Sequence, residues 1–83
     1  MSKYIGIVDG NDKDGYSGYV ANLNGSCLFA GSTMDELIQD ADESVVAHVE
    51  FLLENDFSLQ PDSIDLVIND DQQVIVIQYP KPI

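Results

Sequence analysis

The residues best suited to bind a metal or to catalyse a reaction lie in one short stretch, 9–18, which reads DGNDKDGYSG. Carboxylates in such a loop bind Ca²⁺ when they occupy its first, third and fifth positions and a bidentate glutamate occupies the twelfth. With Gly15 as the glycine of the sixth position, Asp12 and Asp14 take the third and fifth. The first and twelfth positions then hold a glycine and an alanine. The spacing therefore does not favour a calcium site.

A second chemistry for these carboxylates is metal-assisted hydrolysis of a nucleic acid. Asp9, Asp14 and Glu36 are conceivable Mg²⁺ ligands, and His48 is a conceivable general base. The chain has only three basic residues, all lysines, so the charge of a phosphate backbone would remain unmet. His48 falls beside an apolar helical stripe, where a histidine at the edge of the core is the simpler interpretation. We therefore predict no catalytic residue, no metal and no cofactor.

The charge of the whole chain points to a basic partner. Its 83 residues include 15 Asp and Glu, which gives a formal net charge of −12. Direct nucleic-acid binding by this chain alone is not expected, because phosphate contacts need clustered Lys and Arg. An acidic surface favours encounter with cationic proteins instead. An alternative interpretation is that the acidity only keeps a small protein in solution.

The single cysteine and the lengths of the apolar runs bear on the cellular location of the protein. Cys27 is the only cysteine, so it forms no internal disulfide, and we expect a small buried side chain. The N-terminus lacks an apolar run of signal-peptide length, and no stretch approaches the ~20 apolar residues of a membrane span. The sequence predicts a cytoplasmic protein that does not enter a membrane.

Four short runs of β-forming residues predict strands. They cover 3–8, 16–21, 27–30 and 74–79, and the first three are separated by the polar turns 9–15 and 22–26. Aspartates of the first turn are expected to shape it through side-chain-to-backbone hydrogen bonds. The run 74–79 is apolar on both faces, which predicts a central strand. Residues 63–68 are ambiguous between a strand and a short helical turn capped by Asp62 or Ser63.

One long amphipathic helix is predicted between the third and fourth strands. Thr33 as N-cap and Glu36 at the third helical position form a capping box, and the helix is expected to end near residues 55–56. Its apolar stripe comprises Leu37, Ile38, Ala41, Val45, Val49, Leu52 and Leu53, and its outer acidic side comprises Glu36, Asp40, Glu43, Glu50 and Glu54. Like charges at this spacing repel one another, and a cationic partner would relieve the repulsion.

These elements predict a single domain over residues 1–83. The order is β-β-β-α-β, an α+β fold in which one long amphipathic helix packs on one face of a small antiparallel sheet. A core of this size is limited, so we expect a homo-oligomer, most simply a dimer formed through a sheet edge or the helix.

Several local motifs, in this order, resemble the HicB antitoxin family of type II toxin–antitoxin systems. The motifs are Asp14-Gly15-Tyr16, the turn 22–27, the helix start 31–37 and the proline–serine connector 59–63. The resemblance implies a partial ribonuclease-H-like fold without catalytic machinery. It also implies a small basic partner, a HicA-type toxin that cleaves mRNA. Family members often add a C-terminal DNA-binding segment. This chain ends directly after its last strand, so operator binding by it alone is not expected.

The leading functional hypothesis is an antitoxin that masks a basic HicA-like toxin. The alternatives are a stand-alone acidic HicB-like domain that binds another basic protein, and a metal-dependent nuclease of the ribonuclease H type. Exposed tyrosines are frequent interface anchors. The predicted partner-binding residues are Asp12, Asp14, Glu36, Asp40, Glu43, Glu50, Glu54, Tyr19 and Tyr79.

Overall fold

A computed structural model describes residues 2–61, 63–64 and 66–81. The elements follow one another as β1 (Ser2–Asn11), β2 (Gly15–Val20), β3 (Leu28–Gly31), α1 (Met34–Glu54) and β4 (Gln73–Tyr79). The predicted β-β-β-α-β order and the α+β class are thereby confirmed.

The four strands form one antiparallel sheet in the order β3-β2-β1-β4. At the middle of β1, Gly6 lies opposite Val20 of β2 and Ile75 of β4. The prediction that the last strand is central is wrong, because among the described strands β4 pairs with β1 alone and forms an edge. The face of β4 away from α1 is also exposed: Val74 is 47% and Val76 65% accessible. Apolar side chains therefore occur on both faces of β4, whereas α1 covers only one of them.

The start of α1 follows the predicted capping pattern. The Thr33 hydroxyl oxygen accepts a hydrogen bond from the Glu36 backbone N–H at 3.2 Å, and the Glu36 carboxylate accepts one from the Ser32 N–H at 3.3 Å. The strand before the helix approaches it closely. A Cβ atom at Gly31 would collide with the backbone nitrogen of Leu37, so glycine permits this tight transition from strand to helix.

One face of the sheet and the predicted stripe of α1 form the core. Buried helix residues are Leu37, Ala41, Val45, Val49 and Leu52, and the sheet supplies Tyr4, Val8, Val20, Phe29, Ile77 and Tyr79. Two residues of the predicted stripe lie outside this core, since Ile38 is 40% and Leu53 41% exposed. The buried stripe is therefore narrower than predicted, and apolar side chains remain on the flanks of the helix.

The connection from α1 to β4 contains the ambiguous stretch 63–68. Its described residues form neither a helix nor a strand, and their apolar side chains are exposed. Asp62, the other suggested cap, lies outside the described residues. No helix in the described part of the chain is long and apolar enough to cross a membrane.

Candidate partner-binding surface

The acidic stretch 9–15 connects β1 and β2 in a hairpin, as predicted. The side chain that shapes it is Asn11 rather than an aspartate. Its amide oxygen accepts hydrogen bonds from the backbone N–H groups of Lys13 at 2.9 Å and Asp14 at 2.8 Å. Gly10 adopts a φ of 115°, and a Cβ atom there would collide with the carbonyl oxygen of Gly15. The turn is thus fixed by an asparagine and by glycines.

Each aspartate of this hairpin has a hydrogen-bond partner within the chain. Asp9 accepts from the Gln72 side-chain amide at 3.1 and 3.2 Å, and Asp14 accepts from the Asn11 amide at 3.3 Å. Asp12 accepts from the Tyr16 hydroxyl at 2.7 Å. That hydrogen bond, with smaller contributions from partial desolvation and the carboxylate charge, raises the pKa of the Tyr16 phenol above its ordinary value. These three carboxylates therefore hold the hairpin and its neighbours together.

The residues considered for catalysis are dispersed or engaged. Among the described residues, no three His, Cys, Asp or Glu side chains are grouped so that they could hold a metal ion. The His48 Nε2 atom lies 2.7 Å from the carbonyl oxygen of Asn24, so in the tautomer with hydrogen on Nε2 it donates to that carbonyl. This bond links α1 to the turn between β2 and β3.

Cys27 is a buried residue, as predicted, with 3% of its surface exposed. Burial, with a smaller contribution from the charge of Asp40, raises the pKa of its thiol. Because the thiolate is the nucleophilic form, this environment favours a structural role for Cys27.

Two of the predicted partner-binding carboxylates on α1 bond to the chain's own backbone. Glu36 accepts from Ser32 at the start of the helix. One carboxylate oxygen of Asp40 accepts from the backbone N–H of Ala30 at 2.9 Å. Ala30 belongs to β3, which among the described strands pairs with β2 alone, so Asp40 satisfies a donor on the outer edge of the sheet.

The remaining carboxylates line a groove on the outer side of α1. We call this surface the acidic groove. It has a volume of about 570 Å³ and is lined by Asp42, Glu43, Val46, Ala47, Glu50, Phe51 and Glu54. Its floor is apolar and its rim carries four carboxylates. Glu50 lies 3.6 Å from the ammonium of Lys81, but both side chains are substantially exposed, at 41% and 62%, so this ion pair contributes little stability.

An aromatic pair stands at one end of the acidic groove. Phe51 and Phe57 are 53% and 54% exposed, and their ring centroids lie 6.2 Å apart with an interplanar angle of 38°. That separation is within the range at which aromatic pairs attract. Phe57 lies beyond the end of α1, so the pair ties the connector to the outer helix surface and leaves both rings accessible.

The two tyrosines predicted as interface anchors lie on opposite faces of the sheet. Tyr19 is 38% exposed and lies opposite Ile7 on the face away from α1. Tyr79 is only 3% exposed and belongs to the core beneath the helix. Its side chain is not accessible in this structure, because alternation along β4 directs residues 75, 77 and 79 toward α1.

A family model described as the HicB-like antitoxin of bacterial toxin–antitoxin systems matches residues 4–78. The chain belongs to this family.

A solved structure shows that the HicB-like fold extends over nearly the whole chain. One chain of the structure named "HicA3 and HicB3 toxin-antitoxin complex" matches with a TM-score of 0.67 and 22% sequence identity. The match covers 93% of the present chain and 96% of that chain. At this identity the likeness establishes the fold. Comparison with curated protein sequences finds no match.

In this HicB-like chain the predicted partner-binding residues fall into separate places. Glu43, Glu50 and Glu54 share the acidic groove, whereas Asp12 and Asp14 belong to the hairpin and Tyr19 to the opposite sheet face. The prediction omitted the apolar floor and Asp42. The sequence does contain a signal for the floor. Ala47 and Phe51 are four residues apart and so lie on the same side of the helix. That side is outside the buried stripe and is flanked by glutamates.

Proposed function

We propose that this HicB-like chain neutralises a small basic toxin of the HicA type by binding it through the acidic groove and masking its RNA-binding surface. The observation that carries the proposal is the combination of four rim carboxylates with an accessible apolar floor. Membership of an antitoxin family supports the toxin–antitoxin role. The fold likeness to a chain of a toxin–antitoxin complex agrees with it.

The electrostatics of the groove favour a cationic partner. The groove extends along α1 from Asp42 to Glu54, and at its far end, in the last turn of the helix, the helix dipole adds negative potential. The last turn of the helix contains no basic residue to offset this potential. A lysine or arginine from a partner would therefore meet both rim carboxylates and the helix end. Electrostatic complementarity of this kind accelerates association and disfavours acidic competitors.

The apolar floor of the acidic groove supplies binding affinity that charge alone does not. Rim charges in water contribute little affinity, whereas buried aromatic side chains near the centre of an interface dominate it. Phe51, which is 53% exposed, is the largest side chain on the floor. A toxin that places an apolar side chain against Phe51 and cations on the rim would gain from both. Such masking needs no covalent step and no cofactor, and it would take place in the cytoplasm, where mRNA is cleaved.

A co-expression experiment tests the proposal. A small basic reading frame is sought beside the gene and expressed with and without this chain, and growth, mRNA cleavage and co-purification are measured. We expect rescue of growth and a stable complex. The double charge reversal Glu43→Lys/Glu54→Lys should abolish both. The matched double reversal Asp14→Lys/Asp70→Lys, in the hairpin and in the turn before β4, makes the same change in net charge outside the acidic groove and should preserve them.

Two results would oppose the proposal. A neighbouring protein that remains toxic and unbound would remove the antitoxin function and leave a stand-alone acidic domain that binds a different basic protein. Equal loss of rescue with both double variants would show that net charge, rather than the acidic groove, carries the interaction.

A further inference from the structure

The two edges of the sheet differ sharply in how they are protected. β3 has four residues, and its Ala30 N–H is capped by the Asp40 carboxylate. β4 has seven residues and the sequence QVIVIQY. No charged residue occurs from 72 to 80. Natural proteins usually blunt an edge with charges, short strands or covering elements. Only β3 has such protection among the described edge strands.

β4 has an open edge as well as an uncovered face in the single chain. Its neighbour among the described strands is β1 alone, and Val76, on the face away from α1, is 65% exposed. The β-branched residues of β4 favour extended backbone, and the outer edge of such a strand presents unpaired N–H and C=O groups. A second strand along this edge would pair those groups and cover part of Val76.

The charges that flank β4 specify how such a strand would run. Lys81 follows the strand, and Lys3 of β1 lies opposite Gln78 near the same end. Asp70 and Asp71 precede the strand at the other end. Antiparallel pairing of two copies places the basic end of each against the acidic end of the other. Parallel pairing would place like charges together, which is destabilising.

We infer that two copies of this chain pair through β4, antiparallel and about a two-fold axis at Val76, to form one continuous eight-stranded sheet. With this register Lys81 lies opposite Asp71 of the second copy, five residues from the axis on either side. The existing contact of Lys81 with Glu50 is exposed and weak, so it does not compete strongly. Because the paired strands carry no charge, two copies with a net charge of −12 can meet there.

A groove beside the β4 edge gives the second copy an apolar surface to cover. It has a volume of about 500 Å³ and is lined by Ile38, Asp42, Val46, Val76, Gln78 and Pro80. Ile38 and Val76, at 40% and 65% exposure, are the accessible aliphatic side chains on its wall. This groove shares Asp42 and Val46 with the acidic groove, but the pairing itself uses the sheet edge and does not require a toxin.

Sedimentation equilibrium on the purified chain tests the inference. The wild-type chain should be a dimer. Val76→Lys places two ammonium groups at the axis and should raise the dimer dissociation constant at least about tenfold. Leu28→Lys makes the same change on β3 at nearly equal exposure, 67%, and should leave the dimer intact. A monomeric wild-type chain, or a dimer that Val76→Lys does not weaken, would overturn the inference. Circular dichroism confirms that each variant is folded.

Two further experiments, a crosslinking test and a charge exchange, test the register. Val76→Cys should form an intermolecular disulfide on mild oxidation, because opposed antiparallel residues lie roughly 4.5–5.5 Å apart at Cα, within disulfide reach. Cys27 is buried, so the wild-type chain is the blank, and Leu28→Cys should not crosslink. Lys81→Asp and Asp71→Lys should each weaken the dimer, and their combination should restore it. Absence of crosslinking, or failure of the combination to restore the dimer, would exclude this register.

Discussion

The hairpin 9–15 and the acidic groove are both rich in carboxylates, yet they use them differently. In the hairpin, the three aspartates accept hydrogen bonds from Gln72, Tyr16 and Asn11. In the groove, four carboxylates surround Val46, Ala47 and Phe51. The first arrangement satisfies its charges internally, whereas the second places charges around an apolar surface that water now covers.

Acidic composition alone therefore does not identify a binding surface. A carboxylate already hydrogen-bonded within the chain must give up that bond, or share it, when a partner cation arrives. On the rim of the acidic groove, Glu50 would give up only a weak, exposed contact with Lys81, and the apolar floor adds hydrophobic burial. The groove therefore fits a partner better than the hairpin, although the hairpin is the more conspicuous stretch in the sequence.

The largest predicted effect is a loss of folding stability when the hairpin is mutated. Gly10→Ala should lower the free energy of unfolding by about 2–4 kcal/mol, because the residue has a φ of 115° and its Cβ would meet the Gly15 carbonyl. Urea denaturation measures the change. Ser17→Ala, on the exposed surface of β2, is the control and should change the free energy little. A loss below about 0.5 kcal/mol for Gly10→Ala would contradict the strain that we assign to the hairpin.

The second prediction concerns the groove floor. Phe51→Ala should weaken toxin binding about 30-fold, close to the ~2 kcal/mol typical of an interface hot spot, as measured by calorimetry. Unfolding should change much less, since the ring is already 53% exposed. Ile64→Ala removes an apolar side chain of similar exposure, 54%, from the connector and should leave binding unchanged. Equal losses of toxin affinity in the two variants would show that the floor of the acidic groove contributes no more to binding than the connector does.

A third, smaller effect should distinguish the carboxylates of the two regions. Glu43→Gln/Glu54→Gln should slow association with the toxin by about three- to tenfold and flatten its dependence on salt. Asp12→Asn/Asp14→Asn removes the same charge from the hairpin and should slow it by less than about twofold. Stopped-flow association rates at two ionic strengths provide the measurement. A larger effect from the hairpin pair would reverse our assignment of the contact surface.

The smallest predicted effect concerns pH and lies within the hairpin. The pKa of Tyr16 is raised from its ordinary 10.0 by Asp12, so the stabilising contact is complete below that value and is lost as pH rises through the folded-state pKa. Asp12→Asn should bring the Tyr16 pKa back toward 10.0. Absorbance titration of the phenolates measures it, with Tyr16→Phe identifying the signal. An unchanged titration in Asp12→Asn would show that the Tyr16–Asp12 hydrogen bond does not exist in solution.

Periodicity and capping made the helix and the β-β-β-α-β order of elements along the chain predictable. Thr33 with Glu36 marked the helix start, and the spacing of Leu37, Ala41 and Val45 gave its buried side, because these signals are local. The neighbour of β4 was not predictable from local pattern. An apolar strand reads as central whether its second neighbour comes from the same chain or from another.

The candidate surface was predicted only in part, for a related reason. Glutamates at 43, 50 and 54 were identified from helical spacing alone. Asp40 has the same spacing, but its partner, the Ala30 N–H, lies ten residues earlier in the chain on the edge of the sheet. The prediction for Tyr79 assumes an exposed side chain, because the sequence does not determine which face of β4 packs against α1. Tertiary contacts of this kind decide which charges remain available, and sequence spacing does not contain them.

The hydrogen bond between Asp40 and Ala30 also limits how far the protein can assemble. A sheet with two open edges can add copies without end and grow into a filament, whereas a sheet with one open edge stops once that edge is paired. In the dimer that we infer, the Asp40 carboxylate on the Ala30 N–H would make pairing through β4 a terminating event. We expect Asp40→Ala to free that N–H and to favour growth beyond the dimer at high protein concentration.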